Sequence, residues 1–120
     1  MNLSAFDGLQ LPGSFFLQGI HLTSSDIIDP IGRPALAKSV IQGTTISIFL
    51  TPQSKEEESI SIYHEVLEAL TVAFDSPPES VLEMNEADFE HAARAAHQNF
   101  GFASPENVIN FLTAYGFHEK

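Results

Sequence analysis

Residues 44 to 51 alternate: Thr44, Ile46, Ile48 and Leu50 fall on one side of an extended chain, Thr45, Ser47 and Phe49 on the other. A period of two is the signature of a strand with one face buried. Two further segments, "SFFLQGIHLT" (14 to 23) and "ALAKSVIQ" (35 to 42), are equally short and rich in β-branched and aromatic residues, and Gly, Pro and Asp separate them. Three strands are predicted, with Gly43 turning a tight hairpin between the second and third and one sheet face covered by helices. The connection "SSDIIDPIGRPA" (24 to 35) reads as turn-rich, because Pro30 and Pro34 interrupt regular structure and Gly32 permits unusual backbone angles.

Beyond residue 53 the period changes to that of helices with marked starts. Ser54 followed by Glu57 fits a capping box, in which the serine oxygen accepts the third helical N–H and the glutamate reaches back. The helix it opens runs to about Phe74. Ser76-Pro77-Pro78-Glu79 suggests a short helix or turn. Asn85 with Glu86 and Asp88 opens a third helix that Gly101 closes. Ser104-Pro105-Glu106 starts a fourth, ended by Gly116. Strands first and helices after predict an α+β fold, a short antiparallel or mixed sheet packed against three to four helices. The expected organisation is a single domain over 1–120, mainly β to residue 53 and mainly α from 54.

On a wheel of 100° per residue with Ile60 at zero, Tyr63, Leu67, Leu70 and Phe74 lie within roughly 80° on one side of it. Ile62, Val66, Ala69 and Ala73 fill much of the opposite side, so the first helix should be largely buried. Its polar residues share one sector: Thr71, His64, Glu68, Ser61 and Glu65, from about 20° to about 140°. His64 and Glu68 are one turn apart and can aim at a common point.

Composition narrows the chemistry. The 120 residues contain no cysteine, so disulfides and thiolate ligands are excluded and any metal must sit on imidazole and carboxylate. The net charge of −11 is uneven: from residue 55 onward thirteen acids stand against Lys55, Arg94 and Lys120. Such a surface repels nucleic acid and anionic membranes. No apolar run approaches a bilayer's thickness, and the first residues lack a signal-peptide pattern, so a soluble cytoplasmic protein is expected. No glycine-rich phosphate loop or nucleophile elbow occurs.

Ligands at i and i+4 on a helix converge on a divalent cation, and a glutamate directly after the first can act as a base at its flank. The stretch His64-Glu65-x-x-Glu68 resembles the active-site helix of zincin metallopeptidases, whose pattern is His-Glu-x-x-His, over about five residues. The resemblance implies His64 as first zinc ligand and Glu65 as catalytic base, with Glu68 where the second histidine belongs. Carboxylate oxygen binds zinc but leaves it a weaker acid, so a metal site is the firmer expectation and hydrolysis is left open. His97, at the edge of the Phe89, Ala92, Ala93, Ala96 and Phe100 stripe, is the expected third ligand, together with Glu86 or Glu90, if the alanines let this helix approach the first one. His91 falls on its solvated side, His21 cannot be assigned to a sheet face, and His118 lies near the chain end. The spread "YHEVLEA … NEADFEHAARAAH … SPENVINFL" also resembles small uncharacterised bacterial proteins, which implies no activity. The alternative is a non-catalytic acidic module, monomeric or a homodimer, that presents carboxylates to a basic protein partner.

Overall fold

A computed structural model describes residues 2–24, 27–28 and 34–118. It is α+β. Four strands, β1 (Leu9–Gln10), β2 (Phe16–Leu22), β5 (Ala37–Gln42) and β6 (Thr45–Leu50), form one mixed sheet in the order β1-β2-β6-β5. A separate two-stranded ladder joins β3 (Ile27–Ile28) to β4 (Pro34–Ala35). Three helices follow, α1 (Lys55–Ala73), α2 (Glu86–Phe100) and α3 (Pro105–Ala114).

The predicted strands and hairpin form as expected. Ile46, Ile48 and Leu50 are buried while Thr45, Ser47 and Phe49 stay partly exposed, as the alternation requires. Gly43 takes φ 62, the left-handed value suited to the first central position of a two-residue hairpin loop. Two features carried no local signal. β2 runs parallel to β6, with a register shift between Leu17 and Gly19, and β1 adds an antiparallel edge to β2. Pro34, expected to interrupt regular structure, instead pairs with Ile28 in β4, while Pro30 and Gly32 lie outside the described residues.

The helix starts carry the expected caps, with two departures. Asn85 and Asp88 form the reciprocal box, each backbone N–H bonded to the other's side chain at 3.0 and 2.9 Å. Ser104 caps α3 through the N–H of Asn107. Ser54 accepts the N–H of Glu57 at 3.1 Å, but the Glu57 carboxylate does not complete the box because it is forked onto Arg94 across the helix pair. Ser76 caps nothing; the short 3₁₀ turn Glu79–Val81 starts from Pro78.

Helix α1 lies under the inner face of β5 and β6 with α2 and α3 against its other sides. Its residues from Ser59 to Leu67 are buried without a break, which is the near-complete burial its wheel predicted. Tyr63, Val66, Leu67 and Leu70 fill the core with Leu17, Ile46, Ile48 and Leu50. The Tyr63 hydroxyl donates to the Gly101 carbonyl at 2.9 Å, and burial pushes the phenol up to about 12. Ser59 ties the α2–α3 junction to α1 by accepting the Ala103 N–H at 2.8 Å. Ser59→Ala should leave that buried N–H without its partner, costing about 1–3 kcal/mol, read as a lower urea midpoint at unchanged m-value.

Candidate functional site

Adjacent residues on a helix point about 100° apart, and α1 uses that angle to send two neighbouring titratable groups to different elements. His64 faces α2, with its ring centroid 6.1 Å from that of Phe89. Glu65 faces the sheet edge, where Ser39 of β5 bonds to its carboxylate. Both residues are only 9% exposed. They sit there because the helix around them is apolar on nearly every side, so its polar sector has no route to open solvent except between α2 and β5.

The imidazole is enclosed by carboxylates. Nε2 lies 3.0 Å from Glu86 Oε1 and 3.6 Å from Glu68 Oε1, and Nδ1 lies 2.9 Å from Glu90 Oε1. Ionised carboxylates only accept, so a ring that faces them with both nitrogens donates from both and carries a positive charge. Burial alone would lower the His64 pKa, but the bonds to Glu68, Glu90 and Glu86 and the nearby charge of Glu65 outweigh it and raise the group to about 10. The bond to His64 holds Glu68 below its ordinary value against the opposing effect of burial. Glu65 moves the other way: burial lifts it to about 7, although the charge on His64 and the bond from Ser39 pull it down.

Beyond the ring, Arg94 Nε bonds Glu90 Oε2 at 2.8 Å, and its two terminal nitrogens fork onto Glu57 at 3.2 and 3.0 Å. A pocket of about 190 Å³ opens between these groups and the sheet edge, with Ala35, Leu36 and Ala37 as its roof and His64, Glu65, Glu86 and Glu90 in its walls.

Of the residues singled out from sequence, the fold brings five together, with Glu86 and Glu90 of α2 on the His64 ring beside Glu65 and Glu68. Ligand atoms of His64, Glu65 and Glu68 lie within 4.8 Å of one another, a group able to hold a metal ion. His97, expected as the third ligand, is not part of that group. It lies on the same α1–α2 seam, but its Nδ1 bonds Ser59 Oγ at 2.9 Å and its ring packs edge-on against Phe102. The two helices run antiparallel, so Glu86 and Glu90 come level with His64, and His97, further along α2, meets Ser59, more than a turn earlier on α1. Beside His64 Nε2 stands the Glu86 carboxylate instead, with its side chain largely exposed. His91 and His118 are exposed, and His21 stacks on Phe49 at 5.2 Å on the sheet face away from the helices.

Sequence reading did not find Ser39, Arg94 or Glu57. A signal for the last two existed, since Glu86, Glu90, Arg94 and His97 form one helical stripe, and Glu57, His64 and Glu68 form another. No family profile, curated protein or solved structure matches the chain. Among the described residues, no helix is long and apolar enough to cross a membrane.

The shifts fix the sign of the metal-free protein's pH dependence. His64 holds its proton up to about 10 when folded and to about 6.5 when unfolded, so its contribution is complete below 6.5 and disappears as pH rises through 10. Glu65, raised from 4.5 to about 7, likewise favours the folded state at low pH and loses that contribution between those values. With chelator present, the melting temperature should fall steadily from pH 6 to pH 10, and His64→Gln should flatten the fall above pH 7.

Proposed function

We propose that the protein is a metal-binding domain of zincin-like type, holding one divalent cation, zinc in the first instance, between His64 Nε2, Glu68 and Glu86, with Glu65 beside it as a proton acceptor. The observation that carries this reading is the spacing around Nε2. Tetrahedral zinc with bonds of about 2.0–2.2 Å sets its ligand atoms about 3.3–3.6 Å apart. The two carboxylate oxygens stand 3.0 and 3.6 Å from Nε2, and Glu68 and Glu86 are within bonding reach of each other. One imidazole and two carboxylates are a donor set that zinc accepts, and no thiolate is needed.

In this reading the proton on His64 Nε2 stands where the cation would stand, since both satisfy the same oxygens. Binding therefore displaces a proton, and affinity should increase with pH. A cation bound there would supply a Lewis acid able to polarise a carbonyl. Glu65 is suited to move a proton at neutral pH because burial raises its carboxyl to about 7 while Ser39 holds one side of it in place. The pocket gives access to that carboxylate from beneath β5. Hydrolysis is the activity such a pair would support, with Glu68 in place of histidine predicting a slow one.

Untagged protein should carry or take up zinc close to one per chain by metal analysis. A hundredfold excess of zinc over its Kd should stabilise the fold by about 2.7 kcal/mol, seen as a higher melting temperature that chelator reverses. His64→Ala and Glu86→Gln should weaken uptake, and His97→Ala should leave it unchanged. Absence of uptake by the unaltered chain would leave the acidic interaction module in its place.

A further inference from the structure

We infer that Glu90 and Arg94 are positioning residues of the site, a relay from α2 that fixes His64 with Nδ1 turned to the helix and Nε2 alone offered to the pocket. Glu90 divides its two oxygens: Oε1 accepts from His64 Nδ1 at 2.9 Å, and Oε2 accepts from Arg94 Nε at 2.8 Å. Arg94 in turn is oriented by a fork, in which Nη1 and Nη2 donate to Glu57 Oε2 and Oε1 at the start of α1. The chain of contacts therefore starts on α1, crosses to α2 and returns to α1 at His64, and a rotation of the imidazole would break it.

The relay is poorly explained as a stabilising ion pair. Arg94 is 49% exposed and Glu90 40%, and solvent screens pairs of that kind until they add little to stability. Its geometry serves the ring better than the fold. A carboxylate on the far nitrogen of a ligand histidine fixes tautomer and orientation and makes the near nitrogen a better donor. The Phe89 ring packs beside His64 on α2, with its centroid 6.1 Å from that of the imidazole.

The effect on metal affinity rests on the proposed site, whereas the orientation of the ring does not, and two measurements separate them. In metal-free protein labelled with ¹⁵N, the His64 Nδ1–H should give a resonance protected from exchange with water, assigned by its absence in His64→Gln. Glu90→Ala should expose that proton to exchange, Arg94→Met should weaken its protection, and Glu90→Gln, which keeps an acceptor oxygen, should restore part of it. Arg94→Met should melt close to the parent, whereas Glu90→Ala, which leaves the buried Nδ1–H without its acceptor, should melt lower and Glu90→Gln in between. With cobalt(II) as the metal probe, Glu90→Ala should lose about 10–100-fold in affinity and show an altered visible spectrum at saturation. Arg94→Met should add nothing further in the Glu90→Ala background, since it acts through that residue. An unchanged Nδ1–H signal in Glu90→Ala would overturn the relay, as would an Arg94→Met loss of equal size in both backgrounds. A parent that binds no cobalt yet loses the Nδ1–H signal in Glu90→Ala would uphold the relay and remove the metal reading.

Discussion

Helix α1 buries an imidazole and a carboxylate on consecutive residues, and neither group is tolerated out of water without partners. The surroundings of His64 and Glu65 follow from that constraint. His64 requires acceptors on both nitrogens once it is charged, and only a second helix running alongside can bring Glu86 and Glu90 to the two sides of one ring. Glu65 requires either a proton or a donor, and the edge strand β5 supplies the donor through Ser39. The position of α2 and the register of β5 over α1 are thus tied to two side chains, in addition to the apolar contacts that hold the layers together.

Those apolar contacts explain why the constraint could arise. A helix that exposed one face would let His64 and Glu65 reach solvent. Here Ile62, Val66 and Ala69 are buried on one side and Tyr63, Leu67 and Leu70 on the other, so the polar sector is enclosed as well. The small side chains of Ala92, Ala93 and Ala96, all buried, let α2 come close enough for its carboxylates to reach the ring. Ser59 and Tyr63 then fasten the α2–α3 junction to α1 by bonding to the backbone of Ala103 and Gly101.

Features governed by residues close in sequence were legible before any coordinates. The caps at Ser54, Asn85 and Ser104, the stop at Gly101, the hairpin at Gly43 and the burial of α1 all depend on spacings of a few residues. Long-range pairing was not legible. The parallel match of β2 to β6 joins residues 29 apart, such as Phe16 and Thr45, and no local pattern encodes it. The same limit applied to the site. The seam between α1 and α2 could be named from their stripes, but the sliding register along it could not, and a shift of two turns on α2 separates Glu90, which reaches His64, from His97, which reaches Ser59. The half-formed capping box at Ser54 has that origin too, since Glu57 found a stronger partner in an arginine 37 positions on.

Glu68 in place of a second histidine changes the electrostatics of the site more than its shape. Arg94 balances Glu90 and Glu57 in part, which leaves Glu65, Glu68 and Glu86 facing a single imidazolium. One positive charge is too few for three carboxylates, and the shortfall is reduced in the metal-free protein by the proton that burial helps Glu65 to keep. A dication in place of the His64 proton would halve that shortfall, so the same excess of negative charge that repels anions would favour it. Its consequence for chemistry runs the other way, because each added carboxylate donor makes the bound cation a weaker acid. The arrangement limits that loss in one respect. Ser39 bonds the Glu65 carboxylate from β5, so the carboxyl with the pKa best suited to proton transfer is tied to the sheet edge while it stays within reach of His64 and Glu68.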